Sequence, residues 1–507
     1  MNGSARDSLA GNALLYRCAI AVLVAAVLSG LIEPLMAMTR WVPLDPNEGW
    51  NAFFAQIAMR GGHLYPPPGS FIVNNYPPVS FYLVGAIGHI IGDNIFAGRI
   101  VALLSMVIVV VNVYFWARAA GSAARIALLA AALTAAYAVT YARGYAAIND
   151  PQWLAHALMT TGMVVMWRGN SSTRAIVLGA FIMLLGGWTK HLLVPVPIAT
   201  TWWLVRRSRS AWVTWLSWST FGLVLSGFLV WAKFGGAFFE SLHAARQYSV
   251  RQAITETGRA LKCFVPIMIP SLALLCFTRR NERAEFAVAY LVSAAAVAVA
   301  ASGGVGVDMN AFFDLMIAGS LCAAFAIEAV WERPLPGRFA GYDWGPVLTL
   351  LISASLGAYA ASLVPGIVRD IEGLDALETQ TLAATRLLAT RAHGRAACES
   401  PELCYWAENE FNFDFFNYGQ RLKVGKQPLT PCEAVLDGRF ISMVQLDRYK
   451  HGEGTPQLPA SCNALIRSNY RLVMRASFGD VFESKDAVES KAAVESKDAS
   501  ESGTDLR

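Results

Sequence analysis

Eleven apolar segments recur through the first 364 residues, and nothing else in the chain restricts its fold as strongly. They fall at about 13–38, 99–117, 123–142, 151–167, 174–188, 192–205, 211–231, 262–278, 284–302, 311–330 and 344–364. A spanning helix needs roughly 20 apolar residues, and in lipid only helices or closed barrels satisfy their own backbone. Of 507 residues, 55% are hydrophobic and 15% charged, which excludes an ordinary water-soluble globule and predicts an all-α polytopic membrane protein. The formal charge of +5 is too small over this length to mark nucleic acid as a partner. The first segment, apolar apart from Arg17 and Glu33, exceeds the roughly 7–15-residue core of a signal peptide and reads as the first membrane helix.

Basic residues in alternate connections set the orientation. Arg118 and Arg125, Arg168 and Arg174, then Arg206, Arg207 and Arg209 occupy successive short connections. Arg279, Arg280 and Arg283, then Arg333 and Arg338, continue the series. With these loops and the N-terminus cytoplasmic, the opposite side receives 39–98, 144–150, Lys190-His191, 233–261, 302–310 and everything after Val364. The expected location is a bacterial inner membrane, crossed many times, with a periplasmic C-terminal domain. Within 39–98, the apolar stretch 79–91 is too short to span and reads as partly embedded.

Composition changes beyond 364. Leu374, Leu377, Leu382, Leu387 and Leu388 keep a helical period, while 404–406, 411–418 and 440–446 read as aromatic or β-branched strand pieces. A small α+β domain over 365–482 is predicted. The repeated ESKDAV-like hexamers from Glu483 cannot bury a core, so 483–507 reads as a disordered tail. Cys18, Cys263, Cys276 and Cys322 sit in or beside apolar segments as packing residues. Cys398, Cys404, Cys432 and Cys462 all fall in the outer domain, where an even count in an oxidising compartment predicts two disulfides. Of three pairings, the adjacent one, 398–404 and 432–462, is preferred. No CxxC spacing supports a zinc site, no divalent metal is supported, and no cofactor is implied.

Four outer loops carry polar groups beside the membrane. The first holds Asp45, Asn47 and Glu48, then an amphipathic helical pattern (Trp50, Phe53, Phe54, Ile57, Ala58) suited to the membrane surface. The second holds Arg143 and Asn149-Asp150-Pro151, where Asp150 also suits an N-cap. The third is Lys190-His191, whose lysine also suits snorkelling to water. The fourth is the glycine-rich 303–310 stretch with Asp308 and Asn310, followed by Asp314. Ionisable groups at membrane depth are costly, so four such loops on one side point to chemistry. A carboxylate facing a cation suits transfer of a group off a phosphate: the acid takes a proton from an acceptor hydroxyl, and the cation holds the departing phosphate.

At these residues the chain resembles the GT-C glycosyltransferases that use polyprenyl-phosphate sugars, in the branch of the protein O-mannosyltransferases and the lipid A aminoarabinose transferase. The resemblance spans roughly 13–330 and rests on DPNEGWNAF, YPPVSFY, Gly98-Arg99, ARGYAAINDPQW, GGWTKHLLVPVP and VDMNAFFD, in that order. It implies inverting transfer of a sugar from a polyprenyl phosphate to a lipid, polysaccharide or protein acceptor at the outer face. Asp45, Glu48 and Asp150 become catalytic candidates. Asn47, Arg60, Tyr76, Arg143, Lys190, His191, Asp308 and Asn310 become substrate-binding candidates. Two departures stand out. The family's Asp-Glu pair reads Asn47-Glu48 here, leaving Asp45 or Glu48 as base, and Tyr76 stands where a lysine often precedes Pro-Pro. Phosphate contact would pass to Lys190, Arg143, Arg246 or Arg251. Rival readings are a transporter or lipid flippase, and a non-catalytic assembly protein that binds through its outer domain.

Overall fold

The computed structural model describes residues 3–243, 246–277, 281–332, 343–437, 440–447 and 457–486. Arg279, Arg280, Arg333 and Arg338, the side chain of Cys276 and the tail beyond residue 486 lie outside the described residues. The helices in the first part are α1 (Gly3–Ala37), α2 (Pro46–Arg60), α3 (Val79–Ile91), α4 (Asn94–Ala119), α5 (Ala124–Tyr141), α6 (Gln152–Arg168), α7 (Thr173–Gly187) and α8 (Pro195–Arg207). They continue as α9 (Arg209–Phe234), α10 (Gly236–Leu242), α11 (Val250–Phe277), α12 (Glu282–Ala301), α13 (Phe313–Glu332) and α14 (Trp344–Arg391). The outer domain adds α15 (Pro401–Trp406), α16 (Phe415–Lys423), α17 (Thr430–Val435) and α18 (Ala460–Asn469).

All eleven apolar segments are helical. Among the described residues, eight helices are long and apolar enough to cross a membrane, and α3 and α7 are shorter apolar helices. The chain is a multi-pass membrane protein. Its central helix, α13, is buried along almost its whole length, whereas α9 turns nearly all of its apolar side chains outward.

The arginine-bearing connections meet at one end of the bundle. Arg206 and Arg207, closing α8, pair with Glu285 and Glu282 at the start of α12. Arg283 reaches Glu328 near the end of α13 and Ser122 between α4 and α5. Arg125 lies over Trp331. Charges that attract lipid headgroups therefore also clamp this end of the bundle.

At the opposite end α2 lies between the bundle and the outer domain. Asp45 caps it, Pro46 opens it with a preset φ, and Gly61 closes it in the left-handed region. The outer domain holds a four-stranded sheet, ordered β1 (Ala396–Cys398), β2 (Met443–Asp447), β4 (Gly479–Ser484) and β3 (Tyr470–Arg475). β1 and β2 run parallel, with Ala397 opposite Val444, and the other pairs are antiparallel.

Three expectations need correction. Two of the three aromatic segments read as strands are helical: 404–406 closes α15 and 411–418 runs into α16. Pro401 in the first turn and the Asp414 carboxylate on the Asn417 N–H start those helices, overriding aromatic strand preference. The segment 440–446 does contain most of β2. The boundary at 364/365 falls inside α14, which runs unbroken through Pro365 for 48 residues. Glu483 and Ser484 belong to β4 rather than to a tail, because the Glu483 carboxylate binds Arg391 and Arg471.

Cys398 is bonded to Cys404 and Cys432 to Cys462. The first bridge closes a separation of 6 residues and the second one of 30. Chain-entropy scaling gives about 2.4 kcal/mol for the short loop and about 3.6 kcal/mol for the long one. Cys462→Ser is therefore expected to destabilise the outer domain more than Cys404→Ser. Denaturant unfolding of the two variants under non-reducing conditions checks the order.

Candidate active site

The site is built around Arg99. Its side chain is fully buried at the start of α4, where an isolated charge would be prohibitive. Two parallel bonds to Glu48 on α2, Nε to Oε1 at 2.8 Å and Nη2 to Oε2 at 2.6 Å, compensate it. Carbonyls of Arg40 and Val42 accept at 2.8 Å each, with longer bonds to Ala37 and Met38. The Asn149 N–H donates to Glu48 Oε1 at 2.9 Å, and its side-chain amide to the Glu48 carbonyl at 3.0 Å. Gly98 makes room for this, since a Cβ there would overlap the Asn149 side chain. Glu48 is thus wholly buried, with both carboxylate oxygens engaged by Arg99.

Asp45, three residues earlier, is only half-buried and lines a cavity of about 200 Å³ with Asn47, Trp50, Gly306, Asp414, Phe416 and Asp447. It accepts from the Asn47 N–H at 2.8 Å and the Asn47 amide at 2.7 Å. Burial, reinforced by the charges of Asp150 and Glu48, pushes its carboxyl up to about 6 despite those bonds. Asn47 is therefore an orienting neighbour of the candidate base.

Asp150 is buried just ahead of α6. Its Oδ1 accepts the Gln152 N–H at 2.8 Å and meets Lys190 Nζ at 3.3 Å, while Oδ2 is buried without a partner. Capping and ion pairing thus share one oxygen. Lys190, 7% exposed, lies 4.7 Å from the Tyr76 ring centroid. Burial pulls its pKa down, but Asp150 and Tyr76 outweigh that and hold the ammonium charged. Tyr76 thus supports a lysine donated by another loop. His191 stands exposed beside it; enclosure by surrounding chain and the positive charges of Lys190, Arg246 and His243 lower its pKa to about 4. Arg246 lies over Phe416 and reaches Asn417 at 3.5 Å. Lys190 and Arg246 are the cations here, with His191 held neutral and His243 close by. Arg251 is exposed on α11.

Tyr145 joins the acidic loops. Its hydroxyl donates to exposed Asp308 at 3.2 Å. Burial, then the charges of Asp150, Asp308 and Asp45, push it far above the ordinary tyrosine range. Asn310 follows in the 3₁₀ turn Met309–Phe312.

Two candidates lie elsewhere. Arg143 is committed to ion pairs with Glu33 at 2.8 Å and Asp370 at 3.2 Å, tying α1 to α14. Arg60 ends α2, about 22 Å by helical rise from Asp45, and lines a different cavity.

The sequence reading missed Arg99 as a partner, Tyr145, and the outer-domain acids. Asp414 accepts from Trp50 Nε1 at 3.1 Å and from Asn417, and burial raises its pKa. Asp447 takes the Ser400 hydroxyl at 2.6 Å. Glu402, fully buried with both carboxyl oxygens unpartnered, is held far above the carboxylate range by burial and by Glu48. Its backbone packs against Gly49, where a Cβ would overlap the Glu402 nitrogen. An acid at the start of a proline-led or aromatic segment was the available signal. Among the described residues no group of three His, Cys, Asp or Glu is arranged to hold a metal.

Arg99→Met would leave Glu48 buried without its cation. The expected loss is about 3–5 kcal/mol, read as a lowered unfolding temperature, whereas Asp45→Asn should leave that temperature near wild type.

Residues 75–232 match the family model described as dolichyl-phosphate-mannose-protein mannosyltransferase. No curated protein sequence matches the chain. The fold is similar to ArnT from Cupriavidus metallidurans bound to undecaprenyl phosphate, with TM-score 0.57 and 15% identity over 91% of this chain and 97% of that one. The apo ArnT structure gives TM-score 0.59 at 15% identity over the same shares. The Archaeoglobus fulgidus oligosaccharyltransferase tethered to an acceptor peptide gives 0.52 at 12% identity, over 85% of this chain and 69% of that one.

Proposed function

The chain has the fold of the GT-C glycosyltransferases, and from that premise we propose that it transfers a sugar from a polyprenyl phosphate to an acceptor hydroxyl outside the membrane. The observation that carries this reading is the half-buried Asp45, with its raised pKa, at the same end of the bundle as the cations Lys190 and Arg246. Donor binding is supported by the undecaprenyl phosphate in the ArnT structure and by the matching family model.

In the proposed step Asp45 takes the acceptor proton. The acceptor oxygen bonds to the anomeric carbon from the face opposite the phosphate, with inversion. The carbon–oxygen bond to phosphate breaks, and its electron pair leaves with the phosphate. Lys190 spends one donor on Asp150 and has N–H groups left for that leaving group. Asp150 positions Lys190, and Tyr145 with Asp308 borders the acceptor path. A general base must be ionised to act, so turnover should rise as pH passes through about 6 and level off above it.

The assay is the purified full chain in lipid nanodiscs with radiolabelled polyprenyl-phosphate sugars and membrane-lipid, polysaccharide or peptide acceptors. Asp45→Asn should slow turnover about 10²–10⁴-fold while retaining donor binding, and should remove the acid limb of the pH profile. Lys190→Ala should weaken donor binding and slow turnover together, since the phosphate is charged in ground state and transition state alike. Wild-type turnover in Asp45→Asn would remove Asp45 as the base, whereas absence of transfer by the wild-type chain would return it to the transporter or flippase reading.

The proposed orientation puts the outer domain in the periplasm. Arg207→Cys should react with membrane-impermeant maleimide only from the cytoplasmic side, and Asp308→Cys only from the opposite side.

A further inference from the structure

A second cavity, of about 820 Å³, opens at the C-terminal half of α2. Asp45, Asn47 and Trp50 face the smaller cavity, whereas Phe53, Gln56, Ile57 and Arg60 face this one. One helix therefore separates two sites. Trp41 forms one wall, backed by Trp406, which is 7% exposed and stacks on it with centroids 5.3 Å apart and an interplanar angle of 26°; Phe96 lies edge-on to Trp41. The wall is fixed before any ligand arrives, because Trp406 Nε1 donates to Asp93 at 3.0 Å and Tyr405 takes the Asn94 N–H at 3.1 Å.

The remaining lining mixes apolar side chains (Phe53, Ile57, Ile91, Phe411) with polar ones. Arg60, Glu408 and Glu410 are exposed into the cavity, and none forms an ion pair among the described residues. Asn409 is 5% exposed, and its Oδ1 is buried with no partner. Such an acceptor is costly unless a ligand donates to it. Glu408 has φ of +55° at the left-handed end of α15, where the Asn409 N–H closes onto the Cys404 carbonyl at 3.0 Å.

We propose that this cavity binds the saccharide headgroup of a membrane glycolipid, independently of the glycosyl-transfer reading. Rigid aromatic faces take the apolar C–H face of a sugar ring. Carboxylates and an amide oxygen accept from hydroxyls, and the guanidinium donates to ring or hydroxyl oxygens. Two acids against one arginine disfavour a phosphate. At the mouth, Ile91 and its neighbour Ile90, at the end of α3, are 44% and 85% exposed, which suits an acyl chain continuing into lipid.

The test uses the full chain in nanodiscs, with empty discs as control, and saturation-transfer NMR on octyl β-D-glucoside, glucose and 1-octanol. Ring protons of the glucoside should receive saturation, and glucose should compete at higher concentration while octanol does not. Arg60→Gln and Glu410→Gln should each weaken glucoside binding about tenfold, the scale of a charge-assisted hydrogen bond. Glu408→Gly should weaken binding yet raise the unfolding temperature, a pairing that a merely structural residue would not give. Lys190→Ala should bind the glucoside normally. Saturation confined to the octyl chain, displacement by octanol, or undiminished binding in both Arg60→Gln and Glu410→Gln would overturn the proposal. Loss of binding in Lys190→Ala would assign the glucoside to the donor site and overturn it as well.

Discussion

One buried guanidinium fixes the geometry of the outer end. Taking Arg99 and Glu48 out of water costs several kcal/mol per ion, and their mutual attraction alone does not recover that. The deficit is offset by saturating both groups: Arg99 also binds carbonyls of the chain after α1, and Glu48 also holds Asn149. The bonds therefore draw α1, α2, α4 and the loop before α6 to one point. Asp45 and Asp150 each stand close in sequence to members of this knot, at the head of α2 and next to Asn149. Their separation follows from structure that contains neither of them.

The C-terminal part of the chain closes over this arrangement by polar contacts. Trp50 donates to Asp414, Trp406 to Asp93, and Arg40 pairs with Asp375 and Glu378. Gly49 lets the start of α15 come down onto α2 without a side chain between them. Burial beneath the outer domain, with the charges of Asp150 and Glu48 added, raises the Asp45 carboxyl to about 6. Lys190 stays charged nearby because Asp150 is its direct partner.

Much of the helical architecture was legible, because lipid leaves a long apolar run few alternatives and because arginines at alternate connections had to come together. The order of the motifs also located the loops that converge. What could not be read was which of two adjacent acids is free. Asp45 and Glu48 differ in surroundings because Arg99, 51 residues from Glu48 in sequence, pairs with the second. Arg143 was a candidate for phosphate and Arg60 for substrate, but one is claimed by Glu33 and the other is carried to the far end of α2. In the outer domain, aromatic content suggested strands where a proline and an aspartate cap started helices, so Asp414 was not seen as part of the cavity. These are long-range or capping decisions, and periodicity is blind to both.

The unbroken run of α14 has a mechanical consequence. At 48 residues it is roughly 72 Å long, more than twice the roughly 30 Å hydrocarbon thickness. One part is seated in lipid and the rest is a stiff arm whose tip carries the first strand of the outer sheet. A helix tilts to match the bilayer around it, and a rigid arm magnifies tilt into displacement: about 10° moves a point 40 Å out by about 7 Å. A change of tilt would therefore displace the sheet that follows α14. α2, gripped from both sides, is the element that such a movement would strain first.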